Sequence, residues 1–369
     1  MKTIDKEQFD ILLPAFVYVI ILVVVGFPGN IISIIVYRFQ LKSTIGRDAI
    51  ITLAICDVIN CVISIPVELY IMTRYYTFEN AAMCKMSRYM TYAMNNAAGL
   101  VLLTIAVERY RSICTPHKPK IEKACMRIVI VISVIIGPLL ALPSLWIYGI
   151  QTDLMYDDGS FVVHKVDGQF ERLVSSPYTN DSVNGTVVAS YILNQSRDTQ
   201  GHFTNAKRCL IDDSVRNTWE AYSFFGFLTL ASTSVMLCLV VIYSNIAYKI
   251  KDLRALASTT SEVSRQRLSA KKKHATFMLS MITLAFVFSF IPFSIITNIR
   301  FFTSDGWYNS QSRIGKMIYQ FFLRSYYLNC AVNPFIYCVS SPQFRSAVCK
   351  LKARLKGQTS SCCKCYEES

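Results

Sequence analysis

Apolar residues in this chain gather into long runs, and polar residues fall into shorter stretches between them. Seven runs reach about 20 residues or more, the length a helix needs to cross roughly 30 Å of hydrocarbon. They cover about 12–38, 49–72, 84–113, 127–150, 219–248, 275–302 and 314–339. Lipid offers no water to unpaired amides, so each run is predicted to be a helix. The expected fold is therefore an all-α membrane protein, a seven-helix bundle. The pattern divides the chain into a short N-terminus at 1–11, a seven-span region at 12–340 and a tail at 341–369. A long polar loop occupies about 151–218.

Composition points the same way. Of 369 residues, 53% are hydrophobic and 17% charged, unlike an ordinary soluble domain. No internal repeat and no metal-ligand cluster stands out. Orientation follows from the basic residues. Arg38, Lys42 and Arg47 follow the first run, and Arg111, Lys118, Lys120, Lys123 and Arg127 follow the third. Eight more lie between Lys249 and Lys273, and six between Arg345 and Lys364. These segments hold 22 of the 38 lysines and arginines, which places them in the cytosol. A plasma-membrane protein with its N-terminus outside and its C-terminus inside is expected. The net charge of +14 then reads as a surface facing the inner leaflet, not as a nucleic-acid site. Residues 1–10 are polar with both signs of charge, and the first run is too long for a signal-peptide core. It is read as an uncleaved anchor.

Cysteines and sequons fit this topology. Of 13 cysteines, only Cys84 and Cys209 fall on the outer side, and cytosolic disulfides are rare. A Cys84–Cys209 bridge is expected, tying the long loop over the bundle mouth; two free thiols are the alternative. The same loop carries the acceptor patterns of Asn180, Asn184 and Asn194, three glycosylation candidates. Beyond Ser341-Pro342, Phe344, Val348, Leu351 and Leu355 recur at helical spacing among Lys and Arg. They predict a short amphipathic helix on the membrane surface. Cys362, Cys363 and Cys365 follow it as palmitoylation candidates, or as unmodified thiols.

Polar residues inside apolar spans are expensive and usually functional. Asn30 lies in the first span and Asp57, in Leu53-Ala54-Ile55-Cys56-Asp57, lies in the second. Glu108-Arg109-Tyr110 ends the third. Phe286, Phe290 and Pro292 mark the sixth, and Asn329 with Asn333-Pro334-x-x-Tyr337 marks the seventh. This ordered set, with the Cys84 to Arg109 separation, resembles the rhodopsin-like family of G-protein-coupled receptors. The resemblance runs from about residue 15 to 355.

The resemblance implies a receptor that performs no catalysis and needs no cofactor. It would pass a ligand signal to a heterotrimeric G protein, with arrestin and receptor kinases as further partners. Asn30, Asp57, Asn329 and Asn333 would form a polar core, with Asn30, Asp57 and Asn333 satisfying one another through water. Ala98 stands where a serine commonly completes the family's sodium site, so sodium near Asp57 stays open. Glu108 would restrain Arg109, whose release lets it meet the G protein and Tyr243. Pro292 and Pro334 each remove a backbone hydrogen bond and permit a kink, so the sixth helix can swing. Tyr110 and Tyr337 complete the two switch strings.

Several positions depart from the family pattern. Phe290 replaces the usual tryptophan, Val235 the usual proline, and Ser133 lies near the place of a fourth-helix tryptophan. Lys272 stands where some relatives have an acid that pairs with the arginine. Thr91 replaces the aspartate of amine receptors, which argues against a monoamine. Tyr327 stands where opsins carry the retinal lysine.

Glu68, Arg88, Arg300 and Arg324 place charge on the outer halves of the helices. Glu68 and Arg324 could contact ligand or pair with each other. Arg88 and Arg300 could hold a carboxylate or a peptide carbonyl, or sit solvated at helix ends. Tyr89, Tyr92, Phe293 and Tyr327 add aromatic walls. A wide polar mouth under a long loop suits a peptide, most simply a neuropeptide. A lipid or other small molecule is the alternative ligand class. A transporter would show repeats and broken helices, and neither is apparent. The four histidines lie outside the spans and form no catalytic constellation.

Overall fold

A computed structural model describes residues 2–41, 44–117, 119, 121–156, 162–166, 169–172, 203–216, 218–257, 263–302, 308 and 310–355. Asn180, Asn184, Asn194, Cys362, Cys363 and Cys365 lie outside these residues. The side chains of Arg300 and Lys272 also lie outside the description, although both residues are in helices.

Among the described residues, six helices are long and apolar enough to cross a membrane. Helix α1 spans Lys2–Phe39. The second span is α2 (Ile45–Ile59), a π turn (Asn60–Ser64) and α3 (Ile65–Thr73). Helix α4 (Ala81–Cys114) is the third span and α5 (Lys123–Ala141) the fourth, followed by one turn, α6 (Ser144–Ile147). Helices α7 (Trp219–Ala257) and α8 (Val263–Phe302) form the fifth and sixth. A seventh, broken segment joins α9 (Arg313–Phe322), a 3-10 turn (Ser325–Leu328) and α10 (Asn329–Ser340). Helix α11 (Pro342–Leu355) follows it.

The burial pattern is that of a bundle in lipid. Ile50, Leu53, Leu102, Ile105, Ile282, Phe286, Tyr327 and Tyr337 share one core between helices. Ile128, Leu230 and Phe288 point outward, each more than half exposed. Such an apolar exterior is stable only against hydrocarbon. The first and seventh segments approach closely at Gly26, where an added Cβ would lie 2.6 Å from the Cys330 carbonyl oxygen. That approach lets Asn30 Nδ2 donate to the same oxygen at 2.6 Å.

Several boundaries differ from the sequence expectation. Helix α1 begins at Lys2, not near residue 12, because the polar start continues the helix. Asp5, in its first turn, accepts from Tyr76 N (2.8 Å) and Thr77 Oγ1 (2.6 Å). In the second span Ile65 N–H reaches back to Asn60 O, one residue more than in an α-helix. Pro66 has no N–H and its ring crowds the carbonyl four residues earlier, which the wider turn accommodates. The fourth span breaks after Ala141 and resumes as α6 to Ile147, a few residues short of 150; Leu142 keeps helical angles, and the break falls where Pro143 has no N–H to donate.

The long loop is not simply coil. Its described residues form four antiparallel strands in the order β3-β2-β1-β4: β1 (Tyr148–Tyr156), β2 (Val162–Val166), β3 (Gln169–Arg172) and β4 (Phe203–Ile211). Strand β1 pairs with β4 with Ile150 opposite Cys209. The free edge of β4 takes up the turn after α3: Lys207 N donates to Tyr76 O at 2.8 Å, and Phe78 N to Lys207 O at 3.0 Å.

Candidate functional site

The polar core joins the second and seventh segments. Asp57 and Asn333 are buried, 2% and 1% exposed, and Asn333 Nδ2 donates to Asp57 Oδ2 at 2.8 Å. Asn30 makes no direct hydrogen bond to either side chain among the described contacts. Its amide nitrogen donates to the carbonyls of Gly26 (2.9 Å) and Cys330 (2.6 Å), stapling the first and seventh segments at the same depth. Asn329 is buried on the same segment. Ala98, also buried, offers no oxygen side chain on the third helix.

Below this core lies the Arg109 end of the bundle. Arg109 Nε sits 2.9 Å from Glu108 Oε2, both side chains mostly buried. Two consecutive helical residues do not stack along a helix face, so this contact is an ion pair across the helix surface. Tyr243 on α7 is packed against the common core. Tyr337 is fully buried, edge-on to Tyr37 (5.4 Å between centroids) and tilted on Phe344 of α11 (5.7 Å). Thus Tyr337 packs against α11, which the sequence placed on the membrane surface. Tyr110 is on the same helix end, partly buried.

Between the two ends, α8 carries an aromatic stack. Phe286 and Phe290 lie 4.5 Å apart, Phe290 tilts on Tyr326 at 6.3 Å, and Phe293 meets Tyr326 edge-on at 4.8 Å. Phe290 therefore fills the aromatic place next to Pro292, within the helix. Phe286 approaches Gly99 on the third helix, where an added Cβ would lie 3.3 Å from its ring.

The opposite end is closed by Cys84–Cys209, bonded across a separation of 125 residues. Beneath it, Glu68 is 2% exposed and meets two arginines. Arg324 Nε donates to Glu68 Oε1 at 2.9 Å and Arg88 Nη1 lies 2.9 Å from Glu68 Oε2. Glu68 and Arg324 therefore pair, and Arg88 is no simple solvated helix end. Arg324 also donates to Gln320 O (2.9 Å) and Oε1 (2.8 Å). Gln320 in turn donates to Tyr308 Oη at 3.0 Å, and Gln8 of α1 reaches the same hydroxyl at 3.3 Å. Gln8, Gln320 and Tyr308 were not singled out by sequence; neither motif nor charge marks them. Burial pushes the Tyr308 hydroxyl up to about 12, with Tyr75 nearby adding to the shift.

Aromatic residues flank this cluster. Arg88 Cζ lies 5.9 Å from the Tyr148 ring centroid. Tyr92 and Tyr148 hydroxyls are 2.8 Å apart, and Tyr92 meets Phe224 edge-on at 6.1 Å. Thr91 and Tyr327 are buried beside them. A second ionic knot braces the strands: Asp153, wholly buried, binds Arg208 and lies 3.3 Å from Arg216 Nη1. Glu79 takes the Lys207 ammonium at 2.8 Å, and that hydrogen bond holds its carboxyl below the usual range.

Comparison with known proteins accords with this geometry. The family described as 7 transmembrane receptor (rhodopsin family) matches residues 29–157 and 183–337. The chain is 24% identical to neuromedin-U receptor 2 of Mus musculus over 92% of its length and 75% of that protein's. It is 24% identical to the motilin receptor of Homo sapiens, over 94% and 83% respectively. It is 25% identical to growth hormone secretagogue receptor type 1 of Mus musculus, over 89% and 78%. The fold resembles that of squid rhodopsin, with a TM-score of 0.65 at 16% identity, covering 98% of this chain and 88% of that one. With a family match across more than half its length, the chain belongs to the rhodopsin family of seven-transmembrane receptors.

Proposed function

We propose that the chain is a peptide-activated receptor of the plasma membrane that signals through a heterotrimeric G protein. The disulfide end faces outside and receives the ligand; the Arg109 end faces the cytosol. The single observation that carries the ligand class is the similarity, over nine-tenths of the chain, to receptors named for neuromedin U and motilin. The ionic and aromatic cluster beneath the disulfide supports it, because a peptide needs both polar and apolar contacts. The charge bias of Lys249–Lys273 and of the tail supports the orientation.

The switch rests on two packings of the same helices, between which ligand chooses. Glu108 holds Arg109 in the resting packing. Rotation of α8 about Pro292 frees a cleft in which Arg109, Tyr243 and Tyr337 receive the G protein. Arrestin and receptor kinases act on the same cytosolic face.

The test is expression in cells with calcium, cyclic AMP and inositol phosphate readouts against a neuropeptide library. Arg109→Ala serves as the coupling control, with surface expression measured in parallel. A peptide response that vanishes in the control is the expected result. Silence of the normally expressed wild-type chain across the library would overturn the peptide reading.

A further inference from the structure

The cluster beneath the disulfide carries a charge imbalance. It contains one carboxylate, Glu68, and two guanidiniums, Arg88 and Arg324, with side-chain exposures of 2%, 17% and 5%. Among the described residues Glu68 is the only acid in ion-pair contact with either arginine. Cationic excess out of water is costly unless a partner compensates it.

The two arginines are not equivalent. Arg324 is engaged on several sides: Nε and Nη2 on Glu68 Oε1, and Nη1 on both oxygens of Gln320. Arg88 shares only the second oxygen of the same carboxylate, and its Nε is buried without a hydrogen-bond partner. Arg88 is also the more exposed of the pair. The surplus charge and the spare donor therefore sit on the same side chain. A planar guanidinium fork matches a carboxylate bidentately, which neither a carbonyl nor an amide can do. Tyr148, Tyr92 and Phe224 stand beside it as an apolar wall.

We propose that Arg88 is a carboxylate-recognition residue, taking an acid group that the ligand carries on an aromatic or apolar body. Glu68, shared with Arg324, only partly neutralises its guanidinium and competes with the ligand for it. The group is a free C-terminus or an acidic side chain. This inference rests on reading the disulfide end as the ligand entrance. It is tested by binding without signalling, so its failure is separable from failure of the peptide reading.

The experiment uses the purified full chain in nanodiscs and follows thermal unfolding at matched ionic strength. Three probes are compared: N-acetylphenylalanine, its α-amide, and the α-amide of N-acetylaspartate. A ligand bound only to the folded state raises Tm by mass action. One or both acids should raise Tm while N-acetylphenylalaninamide does not, and which acid acts tells a C-terminus from a side chain. Arg88→Gln should weaken the acid roughly tenfold to a hundredfold. Glu68→Gln removes the competing carboxylate and should strengthen it, an effect opposite in sign to simple loss of structure. Shifts from both acids no larger than that from N-acetylphenylalaninamide, or an acid shift unchanged in Arg88→Gln, would overturn the proposal. If neither variant folds, the acid-against-amide comparison on the wild-type chain decides it alone.

Discussion

Asn333 donates its side-chain amide to the Asp57 carboxylate at 2.8 Å, across 276 residues of sequence. Each is nearly sealed from solvent, and neither can be lost without leaving the other short of a partner. Asn333→Ala should therefore lower stability by about 1–3 kcal/mol, read as a fall in Tm of the purified chain. The exchanged pair Asp57→Asn with Asn333→Asp should recover part of that loss. A double variant no better than the single ones would show that the contact is not what matters.

Glu108 and Arg109 make an ion pair at 2.9 Å near the surface of the bundle. Pairs of this kind contribute about 0.2–1 kcal/mol. Removing the charge with Glu108→Gln should shift the resting-to-active ratio by at most about five-fold. Ligand-independent signalling, in whichever of the calcium, cyclic AMP or inositol phosphate readouts the ligand drives, should rise accordingly, at unchanged surface expression. Basal signalling equal to wild type would remove the restraint from the switch.

The Cys84–Cys209 bond links the start of α4 to β4, and β4 in turn holds the Tyr76–Phe78 turn. Loss of a bridge closing so long a loop typically costs about 2–5 kcal/mol. Cys84→Ser should sharply reduce surface display in an antibody assay on intact cells. Dithiothreitol should lower the Tm of the wild-type chain and leave the Cys84→Ser chain unmoved.

Helices α4 and α5 meet at Gly137, where an added Cβ would lie 2.5 Å from the backbone nitrogen of Ala97. Backbone cannot retreat as a side-chain tip can, so Gly137→Ala should cost about 1–3 kcal/mol. Gly226 has nothing within 4 Å of its Cβ position. Gly226→Ala is the matched control and should leave Tm unchanged or raise it. Equal Tm values for the two variants would contradict the close packing.

Much of the site was legible from residue types. Charge in an apolar span has few explanations, so Asp57, Arg109 and Glu68 marked themselves by cost. Residues that bear no such cost gave no signal. Gln8 and Tyr308 are ordinary at a membrane surface, yet they join α1 to Gln320 and through it to Arg324. The strands of the long loop were likewise missed. Their register is held by pairing across the loop and by the disulfide, not by a local apolar alternation.

The sequence by itself determined that the chain crosses a membrane as a seven-helix bundle, because hydrocarbon admits only long apolar helices at that length. It also determined which polar residues must face inward. Which of them meet was decided by tertiary structure alone. Glu68 is 256 residues from Arg324, and nothing local to either says that it also takes Arg88. The π turn at Asn60–Ser64 and the 3-10 turn at Ser325–Leu328 stand between the polar core and Glu68 and Arg324, and each departs from the α-helical repeat that a sequence pattern assumes. Hydrophobic period fixes a helix and its inward face; the pairing of buried charges depends on how several such faces come together in three dimensions.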